Sequence, residues 1–284
     1  MSTRVAAIQP HAYRGGEEPR NLPEALRYLG DAADQGAQVI CFPEGYPGPY
    51  SGPLTFDPLP ALREAAKAHG VYLVAGGLEP EAPEVLYNTL TLIGPEGEIL
   101  GRYRRCQLPP EAVDRVLFGR KVQPGNSLEV FRTSRGRVGL LICSEVFSPE
   151  LCRLLALDGA DILCSPVGGL LYELLDTWRL LLRARAAENH YYVVTCQNLY
   201  GMEEGIATIA GPEGVLAERR DAGIILADLD LDRLEWLRGH EESLELPKPY
   251  RTIPGLLGWR RPELYGPLAE PSTTDTSTPE EDGR

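Results

Sequence analysis

Apolar positions change period repeatedly along the chain, and each change predicts an element. Val5-Ala6-Ala7-Ile8 is a short apolar run of the kind a buried strand needs. Leu22, Leu26 and Leu29 then recur at i, i+4 and i+7, the spacing of one helix face. Gly36 closes that segment, and Gln38 to Phe42 reads as the next strand. A second helix is expected from about Leu59 to His69, stopped at Gly70, with a strand over Val71 to Ala75. The alternation returns later: a strand over Val138 to Ile142, a helix over Pro149 to Leu157, and a strand over Asp161 to Cys164. A long helix from about Tyr172 to Glu188 and a strand over Tyr191 to Thr195 complete it. This βαβ rhythm predicts an α/β fold rather than an all-β one.

Two expected hairpins interrupt the rhythm. Thr91 to Leu100 and Ile209 to Leu216 both carry Gly-Pro-Glu-Gly, whose Pro fixes φ and whose Gly permits positive φ. Their recurrence, one in each half, points to two similar half-sheets packed as a sandwich. From about Leu268 onward the chain has no apolar period and is rich in Ser, Thr, Pro, Asp and Glu. One domain over residues 1–268 and a disordered acidic tail over residues 269–284 are expected.

Charge narrows the classes of partner. The 284 residues include 28 basic and 41 acidic side chains, a net charge of −13. Such a surface repels phosphate backbones and anionic lipid, so neither nucleic-acid nor membrane partners are expected. No stretch approaches the roughly 18 apolar residues of a membrane span, and Met1 to Val5 does not open a secretory signal. The six cysteines (41, 106, 143, 152, 164 and 196) form no Cys-x-x-Cys pair. Free thiols, a cytoplasmic location and no zinc site are therefore expected. Only Lys67, Lys121 and Lys248 are lysines, so arginine carries nearly all the positive charge.

Three places offer chemistry. Cys41, Cys164 and Cys196 sit in or at the ends of apolar strands, and Cys152 holds an apolar helix position, so these read as packing residues. Cys143 ends a strand and precedes Ser144-Glu145 and a helix. A nucleophile there is presented at the sheet edge, where backbone N–H groups can face a developing oxyanion; packing is the alternative. Glu44 ends another strand behind Pro43, placed to act as a fixed base or simply as a surface loop carboxylate. Arg104 and Arg105 reach a strand end together, either to meet anionic charge or to blunt a sheet edge. His11, His69, His190 and His240 show no nucleophile spacing.

In this order the motifs resemble the nitrilase, or carbon–nitrogen hydrolase, superfamily. The matching stretches are Phe42-Pro43-Glu44, Tyr103 to Pro109, and Ile142-Cys143 followed by Phe147-Ser148-Pro149-Glu150 and Arg153. Gly159-Ala160-Asp161, Arg183 to Asn189 and Arg260 to Tyr265 extend the likeness, which runs from about Arg4 to Leu268. The resemblance implies a four-layer αββα sandwich of two mixed sheets and a Glu–Lys–Cys triad. Glu44 and Cys143 match that triad, but Arg105 stands at the lysine position. Arg105 cannot give up a proton at working pH and is bulkier than an ammonium. Three options follow: Arg105 is an electrostatic substitute, Lys121 reaches in from its loop, or hydrolysis is lost.

The resemblance further implies that Cys143 attacks to form a thioester, with Glu44 as base and Arg105 and the Ser144 N–H on the oxyanion. Glu111, then Asp114, is the candidate for a second glutamate-type carboxylate. Tyr46, Tyr50, Glu145, Val167 and Gly168 are the expected substrate-binding residues. No metal or organic cofactor is implied. A homodimer or larger homo-oligomer is implied, formed through the segments near residues 149–157, 172–188 and 259–268. The expected activity is hydrolysis of a non-peptide C–N bond in a small linear amide or carbamoyl compound. Ser144-Glu145 after the cysteine, rather than Trp-Glu, favours amide over nitrile. The alternatives are a catalytically impaired pseudoenzyme kept for binding, or an acyl transferase or nitrilase of the same superfamily.

Overall fold

Alternation within single strands sorts the core into layers. In β1 (Ser2–Gln9), Val5 and Ala7 join one apolar cluster while Ala6 and Ile8 join another. β2 (Val39–Cys41) splits Val39 and Cys41 from Ile40 in the same way. β3 (Tyr72–Ala82) splits Tyr72 and Val74 from Leu73 and Ala75. Neighbouring side chains leave opposite faces of a strand, so strands apolar on both parities require a sheet covered on both sides. One cover is the pair of helices α1 (Asn21–Asp34) and α2 (Leu59–His69), which contribute Ala25, Leu29, Ala32, Leu62 and Ala66. The other cover is a second sheet.

The structure, a computed structural model, describes residues 1–51, 54–82, 85–111, 121–169 and 172–270. The first sheet has the order β12-β1-β2-β3-β4-β5, with β4 (Val85–Ile93), β5 (Ile99–Arg104) and β12 (Gly223–Asp230). The second has the order β11-β10-β9-β8-β7-β6. Its strands are β6 (Val130–Thr133), β7 (Gly136–Leu140), β8 (Ile162–Cys164), β9 (Tyr192–Thr195), β10 (Ala207–Gly211) and β11 (Gly214–Arg219). Each sheet has a parallel centre, β1-β2-β3 or β7-β8-β9, flanked by antiparallel strands. The two Gly-Pro-Glu-Gly turns are the β4–β5 and β10–β11 connections. Helices α3 (Pro149–Leu157) and α4 (Leu175–Asn189) pack on the second sheet through Cys152, Leu155, Trp178, Leu182 and Ala186. The result is the expected αββα sandwich of two mixed sheets.

Several boundaries move for local reasons. The buried face of α1 is Ala25, Leu29 and Ala32, with Leu22 and Leu26 at its margin. β7 stops at Leu140, before Ile142, because the chain turns at Cys143 into a short 3₁₀ segment, Cys143–Phe147. The long helix opens with a 3₁₀ turn, Tyr172–Leu174, and ends at His190 in the left-handed region (φ 48°). β6, β12 and α5 (Leu231–Gly239) have no counterpart among the sequence expectations. The expected acidic tail lies outside the described residues from position 271 on. Among the described residues, no helix is long and apolar enough to cross a membrane.

Candidate active site

The carboxyl ends of β2 and β7 deliver the two reactive side chains, where ligands of α/β sheets ordinarily bind. Glu44 lies three residues beyond β2 and is buried, 1% exposed. The turn holding it is tight: a Cβ on Gly76 would fall 2.3 Å from the Gly45 nitrogen. A Cβ on Gly45 itself (φ 66°) would fall 2.0 Å from the Tyr50 ring. Asn198 Nδ2 donates to the Glu44 carbonyl oxygen at 2.8 Å. Asn88 Nδ2 donates to Glu44 Oε1 at 2.7 Å.

Arg105 follows β5, and its backbone N–H bonds the Asn88 carbonyl oxygen at 2.9 Å. The side chain is buried, 4% exposed, and reaches polar partners. Nη1 reaches Glu44 Oε1 at 3.4 Å, Nε donates to the Gln107 carbonyl oxygen at 3.0 Å, and Nη2 donates to Ser144 Oγ. Burial opposes the guanidinium charge, but Glu44, with Cys143 and Glu145, outweighs it and holds its pKa above the usual value.

Cys143 sits at φ 54°, a left-handed turn that few non-glycine residues adopt. Its N–H bonds the Pro166 carbonyl oxygen at 2.9 Å, which fixes the turn against the strand-end segment after β8. The thiol is half-buried. Burial first, and Glu44 next, push its pKa up, while Arg105 and the Gly168 N–H pull it down. Glu44, the candidate base, thus lies beside the thiol.

Gly168 completes the cluster. A Cβ there would fall 2.9 Å from Glu44 Oε2 and 3.0 Å from the Tyr50 hydroxyl, so only glycine leaves this space open. Tyr50 is buried, and burial, with Glu44 beside it, raises its pKa. Its N–H and that of Ser51 bond the buried Glu18 carboxylate at 3.0 and 2.7 Å, which ties the loop to the segment before α1.

The other expected site residues divide. Glu145 is buried, and its carboxylate is taken up by the backbone rather than turned to a substrate. Oε1 accepts from the Tyr103 hydroxyl at 2.7 Å and from the Cys106 and Gln107 N–H groups at 2.8 Å each. Oε2 accepts from the Ile142 N–H at 2.8 Å. Burial pushes its pKa up despite these donors. Val167 lies wholly within the sandwich core, and Tyr46 packs edge-on against Phe42 on the α1 side with its hydroxyl on the Asn21 carbonyl. Both lie in loop segments past strand ends, and their side chains enter the two apolar layers. Lys121 pairs with Glu111 at 3.5 Å, both more than two-fifths exposed, unlike the buried Glu44 and Arg105. Asp114 lies outside the described residues.

Asn88, Asn198 and Glu18 are buried polar residues that the sequence reading missed. The available signal was a polar Asn in the otherwise apolar β4. A cleft of about 560 Å³ beside α2, lined by Phe56, Leu59, Gly77 and Arg102, includes none of Glu44, Arg105 and Cys143. Among the described residues, no group of three or more His, Cys, Asp or Glu side chains could hold a metal ion.

Comparison with known proteins agrees with this arrangement. The carbon–nitrogen hydrolase family matches residues 4–238. Omega-amidase NIT2 of Homo sapiens is 31% identical over 236 residues, 77% of this chain and 86% of the relative. A carbon–nitrogen hydrolase of Helicobacter pylori G27 shares the fold with a TM-score of 0.78 at 22% identity, over 95% of this chain and 99% of that one. A cysteine-to-alanine mutant of the amidase from Nesterenkonia sp. AN1, in complex with butyramide, is 26% identical with a TM-score of 0.70. That match covers 82% of this chain and 93% of the other. The matched span holds the cluster of Glu44, Arg105 and Cys143, and the chain belongs to the carbon–nitrogen hydrolase family, as an amidohydrolase.

Proposed function

We propose that this amidohydrolase cleaves a small linear amide or carbamoyl compound through a thioester on Cys143. One observation carries the reading: a thiol held at a left-handed turn lies beside a buried carboxylate, and one guanidinium bridges that carboxylate to the residue after the thiol. Glu44 takes the thiol proton as the sulfur attacks the carbonyl carbon. The oxyanion that forms is met by Arg105 and the Ser144 N–H. Glu44 returns the proton to the leaving nitrogen, the C–N bond breaks, and ammonia or an amine departs. Water then attacks the thioester, Glu44 accepts its proton, and the acid leaves as the thiol is restored. Arg105 is the cation of this site; the Lys121–Glu111 pair stays at the surface.

Butyramide is a suitable first substrate, since an amidase relative binds it. Cys143→Ala is expected to abolish its hydrolysis. Arg105→Met is expected to lower turnover by about 100-fold through loss of oxyanion stabilisation. Unchanged turnover in Cys143→Ala would overturn the reading.

We also propose a homodimer or larger homo-oligomer through α3, α4 and the C-terminal arm. Leu154, Leu157, Leu180, Trp259, Leu264 and Leu268 are all exposed on those segments, which supports it. The six cysteines are free thiols, which supports a cytoplasmic location.

A further inference from the structure

Resting on the roles given to Glu44 and Cys143, we infer that Asn88 is a positioning residue that assigns the two oxygens of Glu44 to different tasks. Asn88 stands in β4 and is buried, 1% exposed. Its amide donates to Glu44 Oε1 at 2.7 Å, and Arg105 Nη1 approaches the same oxygen at 3.4 Å. An ionised carboxylate only accepts, so the Asn88 group facing Oε1 must be its NH₂. Oε1 is thereby occupied. Oε2 lies on the Gly168 side, 2.9 Å from the position a Cβ would take there. The Gly168 N–H faces the Cys143 sulfur, and the Tyr50 hydroxyl borders the same space. Oε2 is therefore the oxygen left to exchange protons with thiol, leaving group and water.

Asn88 also fixes the cation. Its carbonyl oxygen accepts the Arg105 N–H at 2.9 Å, so one residue of β4 sets the height of both members of the ion pair. Without the amide, Oε1 would keep, among the described residues, the longer contact to Arg105, and the carboxylate would be freer to rotate about its terminal bond. The charged and titratable groups facing Glu44 are Arg105 after β5, Cys143 after β7, Tyr50 after β2 and Tyr200 after β9.

The test is steady-state butyramide hydrolysis by Asn88→Leu, Asn88→Asp and Cys143→Ala, with thermal midpoints measured alongside. Asn88→Leu keeps the size and removes the donor. Its kcat is expected to fall roughly 10- to 100-fold with KM changed less than about twofold. Asn88→Asp keeps the shape but sets a carboxylate against Oε1. Two carboxylates this close share a proton, so the acid limb of kcat/KM against pH moves up by roughly one pH unit or more. A purely structural Asn88 would lower the thermal midpoint and leave that limb in place. Activity lost in Cys143→Ala but kept within about twofold in both Asn88 variants would overturn this inference alone. Activity surviving Cys143→Ala would overturn the roles of Glu44 and Cys143, and the inference with them.

Discussion

The thiol of Cys143 is poised by opposing neighbours rather than activated outright. Burial and Glu44 keep it protonated, whereas Arg105 and the Gly168 N–H favour its anion. In the proposed mechanism the thiol is therefore deprotonated as it attacks. The consequence is measurable with limiting iodoacetamide, because alkylation follows the thiolate fraction. Labelling of Cys143, read by mass spectrometry, is expected to climb continuously across about pH 6 to 9 without a neutral plateau. Glu44→Gln removes the neighbouring negative charge, so it is expected to speed labelling at a given pH while stopping hydrolysis. Slower labelling in that variant would mean that Glu44 does not raise the thiol pKa. Arg105, for its part, spends Nε on the Gln107 carbonyl, Nη1 on Glu44 and Nη2 on Ser144. Its planar fork spans groups that a single ammonium would reach less rigidly.

At the scale of elements, the site is two turns stapled together. One turn carries Arg105 beyond β5, and the other carries Cys143 beyond β7, from opposite sheets of the sandwich. Glu145 joins them by accepting from Cys106 and Gln107 on one side and from Ile142 on the other. Removing it leaves two buried donors, the Tyr103 hydroxyl and the Ile142 N–H, and two part-buried ones without this partner, each buried one costing about 1–3 kcal/mol if it stays unsatisfied. Glu145→Ala is expected to lose about 2–4 kcal/mol after relaxation, a drop of roughly 5–10 °C in thermal midpoint. Butyramide turnover should fall with it, because Arg105 loses its fixed approach to Ser144. A thermal midpoint and kcat unchanged in calorimetry and kinetics would remove Glu145 from this role. The sequence reading expected Glu145 to bind substrate. Spacing along a chain says nothing of which way a side chain turns, and the turn at Cys143 sends this one back to the strand ends.

For the whole molecule, both sheets repeat one plan, and their shared core runs from Val5 and Val39 to Leu140 and Val194. Large apolar side chains left outside that core gather on α3, α4 and the arm after α5. Leu180, at 68% exposed, and Leu154, at 54%, lie on neighbouring helices and would be poorly placed in a monomer. Sedimentation of the native protein is expected to give a dimer or larger mass. The double change Leu154→Asp and Leu180→Asp is expected to shift it toward about 31.2 kDa, the mass of one chain. A native protein already at that mass would remove the assembly proposal.

The sequence alone determined the α/β class and the twofold recurrence of the hairpin, and it marked Glu44, Arg105 and Cys143 as the candidate residues. Those features are written in periodicity and in contiguous motifs, which need no knowledge of what packs where. It also left three answers open for the cation, Arg105, Lys121 or none, and did not show which layer Tyr46, Glu145 and Val167 enter. Tertiary structure decided where each of these side chains sits, because that turns on which layer a side chain enters and which distant group awaits it. Arg105 is 61 residues from Glu44 along the chain yet touches it, while Lys121 meets Glu111 at the surface. Asn88 gained its place the same way: β4 lies two strands from β2 in the first sheet, and that order brings its amide to Glu44, 44 positions away.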